Sequence, residues 1–434
     1  MNTNPKSYKC GTADHFSRRT LLGAAGLSGL SWLTPIADVL ANEADAAKDK
    51  FKPAKSIIVL WMAGGPSQLD TFDPHPGSKI AADTKAIESA VKGTFVNENL
   101  AQTAELMEDI SIVRSVMSKE GDHERGIYNI KTGFRPVPGV IHPSLGSIIC
   151  HELPNAKLDI PAHVSIMPGK FPSRGGYFGA NFDPFQMGDP TNPVPDVKAF
   201  GSEDRQKQRM ESLSVVEKSF LKGRTEDFEE KRSLHSETIA KARKLMSSEQ
   251  LNAFNISDVP KAERVGFGDS SFGRGCLAAV RLVEAGVRCV EVTLDGWDSH
   301  ADNTNRQGNK VKDLDPAFAS LIKMLKERGL FEDTIVLWGG EFGRTPKMNP
   351  VGGRDHWPHG FSVALAGGGI KGGRVIGETD PEGEKKKPVR KVSIGDIHAT
   401  IQDAFAIDYG RKFTTPSNRP MALSEGYPIE ELLI

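Results

Sequence analysis

Five apolar runs punctuate the chain: Ser56–Met62 (SIIVLWM), Ile110–Val116, Val287–Leu294, Ile335–Trp338 and Phe361–Ala366. They are mostly unbroken rather than alternating, which is how a strand covered on both faces of a parallel sheet reads. Between them lie segments of helical character. Leu100 to Met107 is one, and the segment from Asp122 to the stop at Gly133 is a second. A third begins near His142 or Ser144, and Phe272–Ala285 ends at Gly286. Leu314–Arg328 is read as the crossover into the Ile335 strand, and a helix capped near Ser393 carries His398, read as packing or capping. Strand and helix in alternation predict an α/β fold, doubly wound, with a mostly parallel central sheet and helices on both faces. Pro172–Pro195 reads as loop. Residues 202–253, dense in Glu, Lys, Arg and Leu, read as a helical pair inserted at about 200–255.

The chemistry gathers where strands end. Gly64 and Gly65 close the first run, and Asp70 or Asp73 then either reaches a site or shapes an Asp-Pro turn. The second run leads to Asp122-His123-Glu124-Arg125 at a helix N-terminus, where anions are favoured. Val287–Leu294 delivers Asp295, Asp298 and His300. The Ile335 strand delivers Glu341 and Arg344, followed by Gly352-Gly353-Arg354-Asp355-His356-Trp357-Pro358-His359. In open α/β sheets ligands bind in the crevice at such ends. Carboxylates and imidazoles are donors for a divalent metal, with Zn, Ca, Mg and Mn all open, and a spare carboxylate can fix a histidine tautomer.

Composition narrows the partners. At 434 residues the chain can hold one large α/β domain, and a formal net charge of -1 provides no field for drawing in nucleic acid. Ser17-Arg18-Arg19-Thr20-Leu21-Leu22 precedes a Gly- and Ala-diluted apolar run to Ile36, with small residues at Val39-Leu40-Ala41. Residues 1–41 therefore read as a twin-arginine signal peptide, 42–54 as a linker and 55–434 as the working domain. This predicts contact with the twin-arginine export machinery, a periplasmic or secreted location, and no stable membrane span after cleavage. Cys150, Cys276 and Cys289 lack paired spacing, and Cys276 and Cys289 read as small core residues.

GGPSQLDTFDP, HERGIYNIKTG, LDGWDSH, GGEFGRTP, GRDHWPHGFSVALAGGGIKGG and DIHATI together resemble a bacterial exported family known as domain of unknown function 1501. That family in turn resembles the alkaline phosphatase and sulfatase superfamily, whose members hydrolyse phosphate or sulfate esters at a divalent-metal site. The resemblance implies that Asp295 and His300 match strand-end metal ligands. It also implies that Glu341 replaces the Asp of an Asp-His pair, and that His356 or His359 supplies a later ligand. Three departures stand out. His123 occupies the position of the sulfatase nucleophile, and Phe342 occupies that of the histidine after Glu341. The first strand delivers Gly64-Gly65 where the superfamily has an Asp, so that Asp70 or Asp73 would have to substitute. The implied function is a metal-dependent hydrolase of small-molecule or glycan esters. Asp295, Asp298, His300, Glu341, Asp355, His356 and His359 form its metal-site candidates, Arg125 and Arg344 its anion ligands, and His123 its base or nucleophile. The alternative is a non-catalytic binding protein on the same scaffold.

Overall fold

The apolar runs become the middle of a nine-stranded sheet. The computed structural model describes residues 52–195, 197, 201–221, 239 and 242–434. In chain order the strands that matter are β1 (Ser56–Ala63), β2 (Ile110–Met117), β3 (His163–Ile166), β4 (Phe185–Met187), β5 (Cys289–Asp295) and β6 (Thr334–Gly339). They continue with a small hairpin, β7 (Gly343–Arg344) and β8 (His356–Trp357), then β9 (Phe361–Gly367), β10 (Val375–Ile376) and β11 (Val392–Ser393). The sheet order is β10-β2-β9-β6-β1-β5-β3-β4, and β11 pairs with β2. Every pairing within it is parallel except the two that β9 makes with β2 and β6. The reversed direction of β9 follows from its connection: the chain returns from β6 through the β7–β8 hairpin and needs no crossover helix.

Burial along β1 explains why its sequence does not alternate. Ile58, Leu60 and Met62 belong to one core cluster, shared with Cys276, Leu277 and Val280 of helix Ser271–Glu284 and with Val311, Leu314 and Phe318 of helix Asn303–Glu327. Ile57 faces the other way, into a second cluster with Ile148 and Ile149 of helix Leu145–Glu152 and Ile397 and Ile401 of helix Ile394–Ala404. Helices thus cover both faces, the doubly wound arrangement that the strand and helix order predicts. Numbered in chain order, the longer helices among the described residues are α1 (His123–Thr132), α2 (Leu145–Glu152), α3 (Glu203–Leu221), α4 (Ser271–Glu284), α5 (Asn303–Glu327) and α6 (Ile394–Ala404). Ser393 caps α6 in a reciprocal box with Asp396.

Some elements depart from expectation. Helix α5 begins eleven residues before Leu314, because its first turns bury polar rather than apolar side chains. Asn303 donates to Asp70, and Gln307 accepts from the Ser67 amide and donates to the Trp297 carbonyl. The Pro172–Pro195 segment contributes β4 to the sheet edge. Helix α3 lies in the predicted insertion. The rest of that helical pair, the signal peptide at 1–41 and most of the 42–54 linker lie outside the described residues. Among the described residues, no helix is long and apolar enough to cross a membrane. Cys150, Cys276 and Cys289 are buried and unpaired.

Two core histidines carry a pH prediction. His398 donates from Nε2 to the Ile130 carbonyl at 2.7 Å, tying α6 to α1, and the His142 ring stacks on Phe134 at 4.4 Å. Burial pushes both imidazoles down, each to about 4. Between that value and the ordinary 6.5, the unfolded chain binds protons that the folded one does not. Their contribution is therefore complete above pH 6.5 and lost as pH falls toward 4, each on the order of 2–3 kcal/mol. Denaturant midpoints measured across that window are expected to fall with acid, and a flat profile would contradict the assignment.

Candidate metal centre

Glycines let three segments meet at the C-terminal rim of β1, β5 and β6. Gly64 has φ +112, and a Cβ there would stand 2.5 Å from the Asp298 amide nitrogen. The loop after β5 consequently passes directly over the end of β1, where the Trp297 amide donates to the Ala63 carbonyl. Gly126 plays the matching part on α1, since a Cβ would lie 3.1 Å from the Phe342 ring and 3.3 Å from Glu341 Cβ. Helix α1 is capped by Asp122, which accepts from the Arg125 amide, and is closed by Gly133 at φ 81. Its first residue, His123, thereby reaches the rim.

Four side chains converge on Asp298. His123 Nε2 lies 3.5 Å from its Oδ2, while His300 Nε2 and His356 Nε2 lie 3.3 and 3.5 Å from its Oδ1. Arg344 Nη2 donates to the same Oδ1 at 2.7 Å. Each imidazole has its outer nitrogen engaged by an acceptor: His123 Nδ1 by Glu341 Oε1 at 2.8 Å, His300 Nδ1 by Asp355 Oδ1 at 2.8 Å, and His356 Nδ1 by the Gly121 carbonyl at 2.8 Å. An acceptor at Nδ1 places the ring proton there and leaves Nε2 with its lone pair. Three lone pairs then face one carboxylate, and the His300 and His356 Nε2 atoms are only 3.0 Å apart. Such a set repels itself unless a proton or a cation lies among the atoms. The donor atoms of His123, Asp298 and His356 all fall within 4.8 Å of one another, the spacing of a possible cation site.

The titration tendencies bear on which ring takes that proton when no cation is bound. The hydrogen bond to Glu341 raises the His123 pKa against the effect of burial. Burial works to raise Asp298, yet its bond to Arg344 and the charges of Arg344, His123 and His300 hold it below the usual carboxylate range. Burial leads in lowering His356, favouring the neutral ring. Glu341 is fully buried. Its Oε1 also accepts from the Gly64 amide at 2.9 Å, and its Oε2 has no partner among the described residues. Phe342 lies under the rings of His356 and His123 at 4.4 and 5.1 Å, an apolar floor where the superfamily resemblance implies a ligand.

Several sequence candidates sit elsewhere or do something else. Asp295 ends β5 exposed, and its carboxylate accepts from the next amide, Gly296, at 2.7 Å; the turn this shapes presents Asp298 to the cluster instead. Arg344 is wholly buried, so it faces no solute anion. Its guanidinium donates to the carbonyls of Gly64, Gly65 and Arg354 besides Asp298. Arg125 is bound to Glu120 through both Nε and Nη2, at 2.7 and 3.1 Å. His359 packs edge-on to Trp357, and among the described residues the possible cation group of His123, Asp298 and His356 does not include it. Asp70 is buried against Thr84, Asn303 and Arg354, and Asp73 against Thr379, Arg114 and His75, so both hold loops together. The roles of the Gly121 carbonyl and of buried Arg354, which donates from Nη1 and Nη2 to the carbonyls of Thr345, Pro346 and Ile80, leave no pattern in sequence. A cavity of about 580 Å³ runs from Pro190 past Phe254 to Arg274 and contains none of these rim residues.

Comparison with known proteins places the chain in a family. Residues 54–433 match the family described as protein of unknown function (DUF1501), and the chain belongs to it. No curated protein matches it. Among solved structures it is similar to Ps i-CgsB, at 8% identity and a TM-score of 0.41, covering 82% of this chain and 72% of that one. It is also similar to the PsFucS1 sulfatase from Pseudoalteromonas sp., at 14% identity and TM-score 0.37, covering 84% and 70%. A TAB5 alkaline phosphatase mutant with Mg bound shares 12% identity at TM-score 0.40, covering 83% and 100%.

Proposed function

We propose that this protein is a divalent-metal-dependent hydrolase of phosphate or sulfate esters that works in the periplasm after twin-arginine export. The observation that supports the metal is the inward trio of Nε2 atoms, each fixed by an acceptor behind it, around one ionised carboxylate. Histidines backed by carboxylates or carbonyls are the arrangement that holds metal-ligating imidazoles in register. The donors fit: His123, Asp298 and His356 would hold the ion, and imidazole nitrogens beside one carboxylate suit Zn better than Ca. Glu341, with an unpartnered buried Oε2, backs His123. A bound divalent cation supplies Lewis-acid activation of a water and of the ester oxygen. His300, oriented by Asp355, is then the proton acceptor, and both residues are exposed to solvent at the rim.

A second reading has its own support. The inward-facing cluster contains no hydroxyl or thiol nucleophile, and both candidate arginines are committed to protein partners, which suits a binding protein that does no chemistry. Two measurements separate the readings. Elemental analysis of protein purified from the periplasm is expected to find about one divalent ion per chain. An aryl phosphate and aryl sulfate panel is expected to show turnover that falls in His300→Ala at unchanged ion content. Metal without turnover on any ester selects the binding protein, and folded protein that refuses offered ions removes both metal readings.

A further inference from the structure

A cavity of about 190 Å³ runs along α1 away from the rim. Glu124, Ile127, Tyr128 and Lys131 line it from that helix, at the spacing of one helical face that begins beside His123. Its inner wall backs onto the end of β1: Ile127 packs with Trp61 and with Ala63, the residue before Gly64, and Phe171 packs against the same cluster. Across from α1 stand Phe171, Pro172 and Arg174.

Two polar groups in the lining have no partner. His142 is buried, and its Nε2 meets no hydrogen-bonding atom among the described residues. The Tyr128 hydroxyl accepts from the His142 amide at 2.8 Å and lies 2.6 Å from His142 Nδ1, whereas its other acceptor, the Val140 carbonyl, is 3.5 Å away. The phenolic proton therefore goes to Nδ1, so the imidazole carries its own proton on Nε2, a buried donor with nothing to receive it. Arg174 is exposed at the lip, and its guanidinium makes no hydrogen bond or ion pair with the described residues. Lys131 adds a second cation, though it is already held by Glu291 at 2.8 Å. Glu124 is the one carboxylate in the lining.

Resting on the hydrolase reading above, we propose that this cavity receives the organic half of the substrate, and that the group it takes is an acidic sugar ring. The volume limits the occupant to about one six-membered ring, since a cavity of about 150 Å³ accommodates benzene. The walls of Ile127, Phe171 and Pro172 suit a ring face. Arg174 suits a carboxylate, with bidentate geometry open to it, and the His142 N–H suits a ring oxygen or hydroxyl.

The probe is D-glucuronate, titrated calorimetrically into the full chain against D-glucose, with ion content measured on the same samples. Glucuronate is expected to bind at least about tenfold more tightly than glucose, the weight of one charge-assisted hydrogen bond. The Arg174→Ala variant, altered only at an exposed side chain, is expected to lose that preference and keep its ion. Equal binding of the two sugars, or a preference that survives Arg174→Ala, overturns the inference even where ester turnover is found. Selective glucuronate binding in a protein that hydrolyses no ester keeps the acidic-ring site and removes only the hydrolase reading.

Discussion

Asp298→Asn is expected to weaken divalent-ion binding by at least about 100-fold, above what loss of an outer partner alone costs a metal site. The carboxylate is the one anion that all three Nε2 atoms face, and the amide keeps the shape while removing the charge. Arg344 can still donate to the remaining amide oxygen, so the thermal midpoint of the ion-free protein should move little. Asp295→Asn is the matched control, three residues earlier in the same turn and engaged with the following Gly296 amide. Competition against a chromogenic chelator reads both variants. Wild-type affinity in Asp298→Asn, or an equal loss in Asp295→Asn, would show that the ion, if any, is held elsewhere.

Arg344→Met should be the most destabilising single change at the rim. The guanidinium satisfies the carbonyls of Gly64, Gly65 and Arg354 and anchors Asp298, all from a fully buried position. Truncating it strands buried acceptors and leaves Asp298 without its counter-charge, a loss of about 3–5 kcal/mol. Chemical denaturation gives the figure directly, and Arg125→Met, at an exposed guanidinium whose buried partner Glu120 keeps Arg135, should move the midpoint far less. If the two variants behave alike, Arg344 is a surface anion ligand after all.

Much of this architecture is legible before any coordinates. β1, β5 and β6 read as buried strands because apolar residues occupy both faces, and α1 declares its ends through Asp122 and Gly133. The rim was legible as a place, since Asp298, His300, Glu341, Asp355 and His356 all follow those strands. Individual roles were not. Whether Asp295 or Asp298 points inward depends on a turn made by Gly296 and Gly64, which residue type alone leaves open. The arginines misled for a related reason: a guanidinium reads the same in sequence whether it awaits a solute or is spent on backbone carbonyls. Helix α5 hid its first turns because Asn303 and Gln307 bury polar groups against other polar groups, which breaks the apolar periodicity.

The reversed run of β9 has a consequence for how the centre comes apart. Because that strand enters the sheet from the rim instead of leaving by it, the whole passage from Gly340 to Gly360 stays on one edge, bracketed by two neighbouring strands. Glu341 and His356 therefore travel on a single flap hinged at both ends, while Asp298 rides on a separate loop. A local opening that lifts the flap takes the His356 donor and the Glu341 carboxylate that orients His123 at once, so ion release and amide exchange across this passage should share one rate.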